Sequence, residues 1–141
     1  MRADKLLRHD DYFIAFEGFA ETGLSDAALR IFLRGSENET DLLLNLPGTM
    51  DRWHIDFHSY AIYSVTCEDF TAPYAADTHT GHALRIYQQS DLLTYLTQRI
   101  NIKEQERQRT IHYKHYGFFC MEHQVDIVSS EEPIIALFSA C

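Results

Sequence analysis

The side chains best suited to ligate a metal or move a proton in this chain are eight histidines and three cysteines. Neutral imidazole ligates metals and changes charge near physiological pH. The most useful spacing is His54 to His58. On a helix that pair would face one way and could share a zinc ion, but neither histidine is followed by the Glu of the metalloprotease pattern. In an extended segment the two lie about 13 Å apart at roughly 3.3 Å per residue, too far for one ion. His79 and His82 fall in a loop with Asp77, and His112 and His115 would point to opposite faces of a strand. For nucleophilic catalysis the candidates are Cys67 or Cys120 with a histidine, or Ser129 with His123 and Asp126. Neighbours on a strand do not assemble a triad by themselves, and no Gly-x-Ser-x-Gly elbow accompanies them. Phosphate-cradling glycine motifs are also missing from a chain with only six glycines. The expectation is a protein without catalytic residues, metal or cofactor, and not an enzyme.

The stronger signal is charge. The net charge is −9, and from Asp10 to His82 thirteen carboxylates face only Arg30, Arg34 and Arg52. From Ala83 to Lys114 six bases outnumber three acids, and the tail from His115 carries four acids and no base. A negative face captures and steers cationic partners and repels nucleic acid. Glu68 and Asp69 close a strand and open the loop that carries Asp77, with Phe70 and Tyr74 as aromatic anchors of the kind enriched at binding hot spots. These five residues, Glu68, Asp69, Phe70, Tyr74 and Asp77, form the expected partner-binding surface. The set Arg99, Lys103, Arg107 and Arg109 is interrupted by Glu104 and Glu106, lacks a recognition motif, and reads as a solvated face rather than a nucleic-acid site.

The elements that must hold this surface follow from length and patterning. The 141 residues fit one domain spanning residues 1–141, and the hydrophobic share of 45% with nine Phe and eight Tyr supplies a core. Tyr12 to Phe19 alternates as a strand, and for Leu29 to Leu33 the period-2 pattern and the Arg34-Gly35-Ser36 stop favour a strand over a helix capped by Ser25. Leu42, Leu44 and Leu46 suggest another strand, ending at Pro47-Gly48 and paired with the preceding one as a hairpin. Ser59 to Glu68 carries little charge and is placed at the centre of the sheet. Asp69 to His82 reads as a loop and Leu84 to Tyr87 as a short strand. Ser90 is a credible N-cap for the main helix, with Leu92, Leu93, Leu96 and Ile100 as its apolar stripe. Lys103 to Arg109 is a polar helical turn or link. Ile111 to Met121 and Gln124 to Ser129 form a strand pair turning near Glu122-His123, and Ile134 to Phe138 is an apolar tail docked on the core. The fold class is α+β: a single domain with an antiparallel sheet of about five to seven strands and the Ser90 helix packed on one face.

The odd cysteine count, Cys67, Cys120 and Cys141, points to reduced thiols. The N-terminus lacks a signal-peptide apolar run, and no stretch approaches the roughly 20 apolar residues needed to span a bilayer. Cytoplasmic residence without a membrane partner is expected.

Three stretches carry a family resemblance. They are Tyr63-Ser64-Val65-Thr66-Cys67-Glu68; Gly81 through Tyr87-Gln88-Gln89-Ser90-Asp91-Leu92-Leu93-Thr94-Tyr95-Leu96; and His112-Tyr113 followed by Val125-Asp126-Ile127-Val128-Ser129 and Glu132-Pro133. Covering about half the chain, they resemble pieces of the bacterial immunity proteins of contact-dependent growth inhibition systems. The resemblance implies a cytoplasmic protein that binds and blocks the C-terminal toxin domain of a large secreted effector, often a basic nuclease. It transfers no catalytic residue. Two other readings remain open: a small enzyme or ligand-binding protein using histidine and carboxylate in a cleft of the sheet, and a structural adaptor.

Overall fold

The computed structural model describes residues 4–8, 11–24, 27–46, 48–71 and 77–139. In chain order these form α1 (Asp4–Arg8), β1 (Phe13–Leu24), β2 (Ala27–Ser36), α2 (Glu39–Leu44), β3 (Asp51–Phe57), β4 (Ile62–Cys67), a 3-10 turn (Glu68–Phe70), β5 (Thr78–Thr80), β6 (Leu84–Gln89), α3 (Asp91–Arg99), α4 (Ile102–Arg109), β7 (Lys114–Cys120), β8 (His123–Ser129) and β9 (Ile134–Ser139). The class is α+β with antiparallel strand pairing, but the strands divide into two sheets, β1-β2-β3-β9 and β4-β8-β7-β6-β5.

Period-2 patterning decides which faces meet. In β2, Leu29, Ile31 and Leu33 are fully buried, while Arg30, Phe32 and Arg34 point away. In β3, Trp53, Ile55 and Phe57 alternate the same way. The second sheet answers with Leu84, Tyr116, Phe118, Val125 and Ile127, so the principal core is the apolar space between two facing sheets. One end of it holds a buried polar cluster. The Tyr12 hydroxyl donates to Asp51 Oδ2 at 2.8 Å and accepts from Trp53 Nε1 at 2.7 Å, and Lys5 Nζ pairs with the same carboxylate at 3.0 Å. Gly35 lies flush against the Tyr12 ring, where any Cβ would overlap the phenol.

The Ser90 helix, α3, packs on a sheet face as expected, but on the outer face of the second sheet, the side turned away from the core between the sheets. There Leu96 and Ile102 meet Val128, with Ile62, Leu92, Leu93 and Tyr113 at the margin. Ser90 Oγ accepts from Leu93 N at 3.0 Å, which is the N-cap bond that its position in the sequence predicts. α3 and α4 cover only one end of this outer face, and the rest is left open.

Several elements differ from the sequence reading. Leu42 to Leu46 lies on a helix and its exit, not a strand, and so makes no hairpin with β2. Asn38 caps α2 through a bond from Asp41 N, Asn45 ends it in the left-handed region at φ 52°, and only Leu42 enters the core while Leu43 and Leu44 stay exposed. β2 pairs instead with β1 and with β3, a strand that the histidine spacing obscured. β4 is an edge strand rather than a central one, paired only to β8 among the described residues. Its lack of charge has another cause, because the hydroxyls of Ser64 and Thr66 line a cleft. The polar stretch after Ile100 forms α4, held by pairs such as Arg107 to Glu104 at 2.5 Å. The C-terminal apolar segment is β9, which docks Ile135 and Leu137 on the core and leaves Ile134 and Phe138 exposed at the edge.

Candidate functional site

The open part of the second sheet's outer face is a cleft of about 670 Å³, within the range of ligand-binding cavities. Its floor is made of outward residues from five strands: Ser64 and Thr66 of β4, Gln124 and Asp126 of β8, His115 and Phe119 of β7, Arg85 and Tyr87 of β6, and His79 of β5. Its walls are Glu68, Phe70 and Thr71 at the 3-10 turn, Asp77, and Leu92 of α3.

Strand register assembles the floor. Cys120 opposite His123 at the β7–β8 turn places Gly117 opposite Asp126 and His115 opposite Val128. His115 and Asp126 are thus diagonal neighbours on one face, close enough for long side chains to meet. His115 Nε2 lies 2.7 Å from Asp126 Oδ1, and His115 Nδ1 lies 2.7 Å from Ser90 Oγ. A carboxylate only accepts, so the tautomer with a proton on Nε2 donates to Asp126. Nδ1 then accepts the Ser90 hydroxyl proton, and Ser90 Oγ in turn accepts from Leu93 N. Tyr87 stacks flat on the imidazole, with ring centroids 4.0 Å apart. Gly117 makes room for that ring, since a Cβ there would sit 3.0 Å from Tyr87 Cε2. Burial and the nearby Asp126 carboxylate raise the Tyr87 phenol above its ordinary range.

This chain contains the residue types of a catalytic triad in a different arrangement. The serine contacts Nδ1 and the carboxylate contacts Nε2, the reverse of the hydrolytic assignment, and Ser90 is 8% exposed and does not line the cleft. His115 is 3% exposed, with both nitrogens engaged and one face covered. The chain from Asp126 through His115 to Ser90 ties β8, β7 and the start of α3 together and thereby fixes the cleft floor.

Floor and walls share the charge. Glu68, Asp77 and Asp126 set three carboxylates against one guanidinium, Arg85, which lies 4.0 Å over the Phe119 ring and donates to the His82 carbonyl at 3.0 Å. Asp77 accepts from the Asp91 backbone N–H at 2.7 Å, which pins the loop end to the N-terminus of α3. His79 is held below the usual imidazole range by desolvation and then by Arg85. Phe70 stands 80% exposed on its turn, whose Glu68 N–H is anchored to the Glu122 carbonyl at 2.8 Å.

Of the five residues expected at the binding surface, Glu68, Phe70 and Asp77 line one cleft. Asp69 is exposed on the same turn without lining it. Tyr74 lies outside the described residues. The sequence reading missed Asp126, His115, Tyr87, Arg85 and Gln124 as a group. Their signal was available in the hairpin register, which pairs Gly117 with Asp126 once the turn is placed at Glu122.

The other candidates do not come together. His54 is on the outer face of the first sheet, stacked on Phe138 at 4.6 Å and edge-on to Phe32, with His58 beyond the end of an extended strand. Ser129 Oγ donates to the Ser59 carbonyl at 2.7 Å, while Asp126 is engaged by His115, so Ser129, His123 and Asp126 form no triad. His112 lies before β7 rather than on it. Among the described residues no group of three or more His, Cys, Asp or Glu is arranged to hold a metal ion. Cys67 and Cys120 are free thiols, the first exposed and the second buried, where burial pushes its thiol up. Among the described residues no helix is long and apolar enough to cross a membrane.

Comparison with protein-family models, with curated proteins and with solved structures finds no match to this chain.

Proposed function

We propose that this chain is a cytoplasmic immunity protein that neutralises a basic toxin domain by binding it, with the cleft of the second sheet and its rim as the contact surface. The observation that carries the reading is the conjunction of three carboxylates against one guanidinium in a concave site with Phe70 standing 80% exposed beside it. Carboxylates steer a cationic protein into encounter, and a truncated aromatic anchor at a hot spot commonly costs about 2 kcal/mol or more. A toxin that acts on nucleic acid needs cationic side chains to hold phosphate, so an acidic protein seated there denies it substrate. The resemblance to contact-dependent growth inhibition immunity proteins supports the same reading. It is tested by co-expressing the chain with the C-terminal domain of a large secreted effector encoded beside it. Growth restored by the wild-type chain but not by a Glu68→Lys, Asp69→Lys, Asp77→Lys variant supports neutralisation through this surface. Growth unaffected by the wild-type chain removes the reading.

A second reading has one observation in its favour. The cleft contains a histidine and carboxylate pair, His115 and Asp126, at 2.7 Å, as a small enzyme or ligand-binding protein would need. Reproducible hydrolytic turnover by the purified chain, abolished in His115→Gln with the fold intact, would favour it over neutralisation.

A further inference from the structure

We infer that the cleft is a receptor for an arginine side chain presented by the partner, an inference that rests on the binding reading above and makes it specific. The acidic groups and the amide oxygen left unengaged on its floor and walls are acceptors, and the Ser64 and Thr66 hydroxyls can accept beside them. Asp126 uses only Oδ1, which accepts from His115 and, at 3.3 Å, from Gln124 Nε2. Among the described residues no side-chain hydrogen bond or ion pair involves the hydroxyls of Ser64 and Thr66, the carboxylate of Glu68, Oδ2 of Asp126 or Oε1 of Gln124. A ligand rich in donors satisfies such a set, with the two hydroxyls turned to accept. With three carboxylates against Arg85 it must also be cationic. An anionic ligand would find one cation, whose Nε is bonded to the His82 carbonyl, against three carboxylates of its own sign.

The walls select among cations. Phe70 offers an exposed aromatic face, and Arg85 lying on Phe119 at 4.0 Å is an example within the cleft of the stacking that a planar guanidinium makes and a compact ammonium does not. Five N–H donors in a fixed fork suit acceptors spread over two strands and a turn, whereas lysine brings three donors on a point charge. The cleft volume of about 670 Å³ leaves room for the loop that carries the side chain.

The test is an NMR titration of the full chain with the blocked peptide Gly-Arg-Gly and its lysine and citrulline counterparts. The expected result is saturable shifts confined to cleft residues such as Ser64, Thr66 and Gln124. Arginine should bind about tenfold more tightly than lysine, and citrulline, which keeps the shape without the charge, more weakly still. Glu68→Gln, at an exposed position that does not support the fold, and Asp126→Asn should each weaken the arginine peptide by about three- to tenfold. Shifts scattered over acidic groups elsewhere, equal binding of the three peptides, or no saturable binding would each overturn the inference. Toxin neutralisation without arginine-peptide binding would sink this inference alone. Arginine-peptide binding without neutralisation would leave it standing and remove the immunity reading.

Discussion

Replacing Ser90 with alanine separates a structural role for the Ser90–His115–Asp126 chain from a catalytic one. Ser90 Oγ makes two bonds, accepting from Leu93 N at 3.0 Å and donating to His115 Nδ1 at 2.7 Å. Loss of an N-cap costs about 1 kcal/mol. Loss of the donor leaves a ring nitrogen unpaired on a side chain that is 3% exposed, which adds about 1–3 kcal/mol. Ser90→Ala should therefore destabilise the protein by roughly 2–4 kcal/mol. In a His115→Phe background, where no ring nitrogen needs a donor, the same change should cost only the cap, about 1 kcal/mol. The difference is a coupling of about 1–3 kcal/mol, measurable as a double-mutant cycle. Urea unfolding followed by the fluorescence of Trp53, the single tryptophan and fully buried, supplies the assay. Equal costs in the two backgrounds would refute the hydrogen-bonded chain. A Ser90→Ala variant of unchanged stability that lost a measurable hydrolytic activity would reverse the assignment and make the serine a nucleophile.

Gly117→Ala places a methyl group 3.0 Å from Tyr87 Cε2 and 3.3 Å from Gln124 Nε2, so it should displace Tyr87 from His115 at a cost of about 1 kcal/mol. An unchanged urea midpoint with unshifted Tyr87 ring resonances would count against the described floor. Burial pushes the Tyr116 phenol up to about 12 and raises Tyr87 in the same direction. Their folded values lie above the unfolded value of about 10, so the stability from keeping both phenols neutral is fully present below pH 10 and is lost as pH rises towards 12. Alkaline unfolding and phenolate absorbance should appear together in that window, and Tyr116→Phe should move the unfolding midpoint upward; phenolate formation well below pH 10 in folded protein would contradict it.

What was legible in the sequence was local, and what was not depended on pairing across distance. Leu29, Ile31 and Leu33 announced β2 because burial on one face imposes period 2, and Ser90 announced α3 because capping needs a side-chain acceptor at one position. The alternation of Leu42, Leu44 and Leu46 misled because Asn38 and Asn45 supply both ends of a short helix that a leucine pattern alone does not reveal. The division into two sheets was not legible, since β9 joins β3 past every strand of the second sheet and no local pattern specifies that partner. Charge pointed to Glu68, Phe70 and Asp77, which share a cleft. It gave no access to His115 and Asp126, whose meeting depends on the register of a hairpin and on a glycine that leaves the space above it free.

If the acidic cleft captures a cationic partner, as proposed, the association rate carries the signature. The measurement is stopped-flow mixing of the chain with the purified effector domain over a range of ionic strength, for wild type and for the triple replacement of Glu68, Asp69 and Asp77 by Lys. Screening acts over about 8 Å at physiological salt, so it weakens steering far more than it weakens close packing. Salt should lower the wild-type association rate much more than it raises dissociation, the triple variant should associate slowly even at low salt, and Phe70→Ala should act on release instead. Association indifferent to salt, to the triple replacement and to Phe70→Ala would contradict the placement of the interface on this cleft.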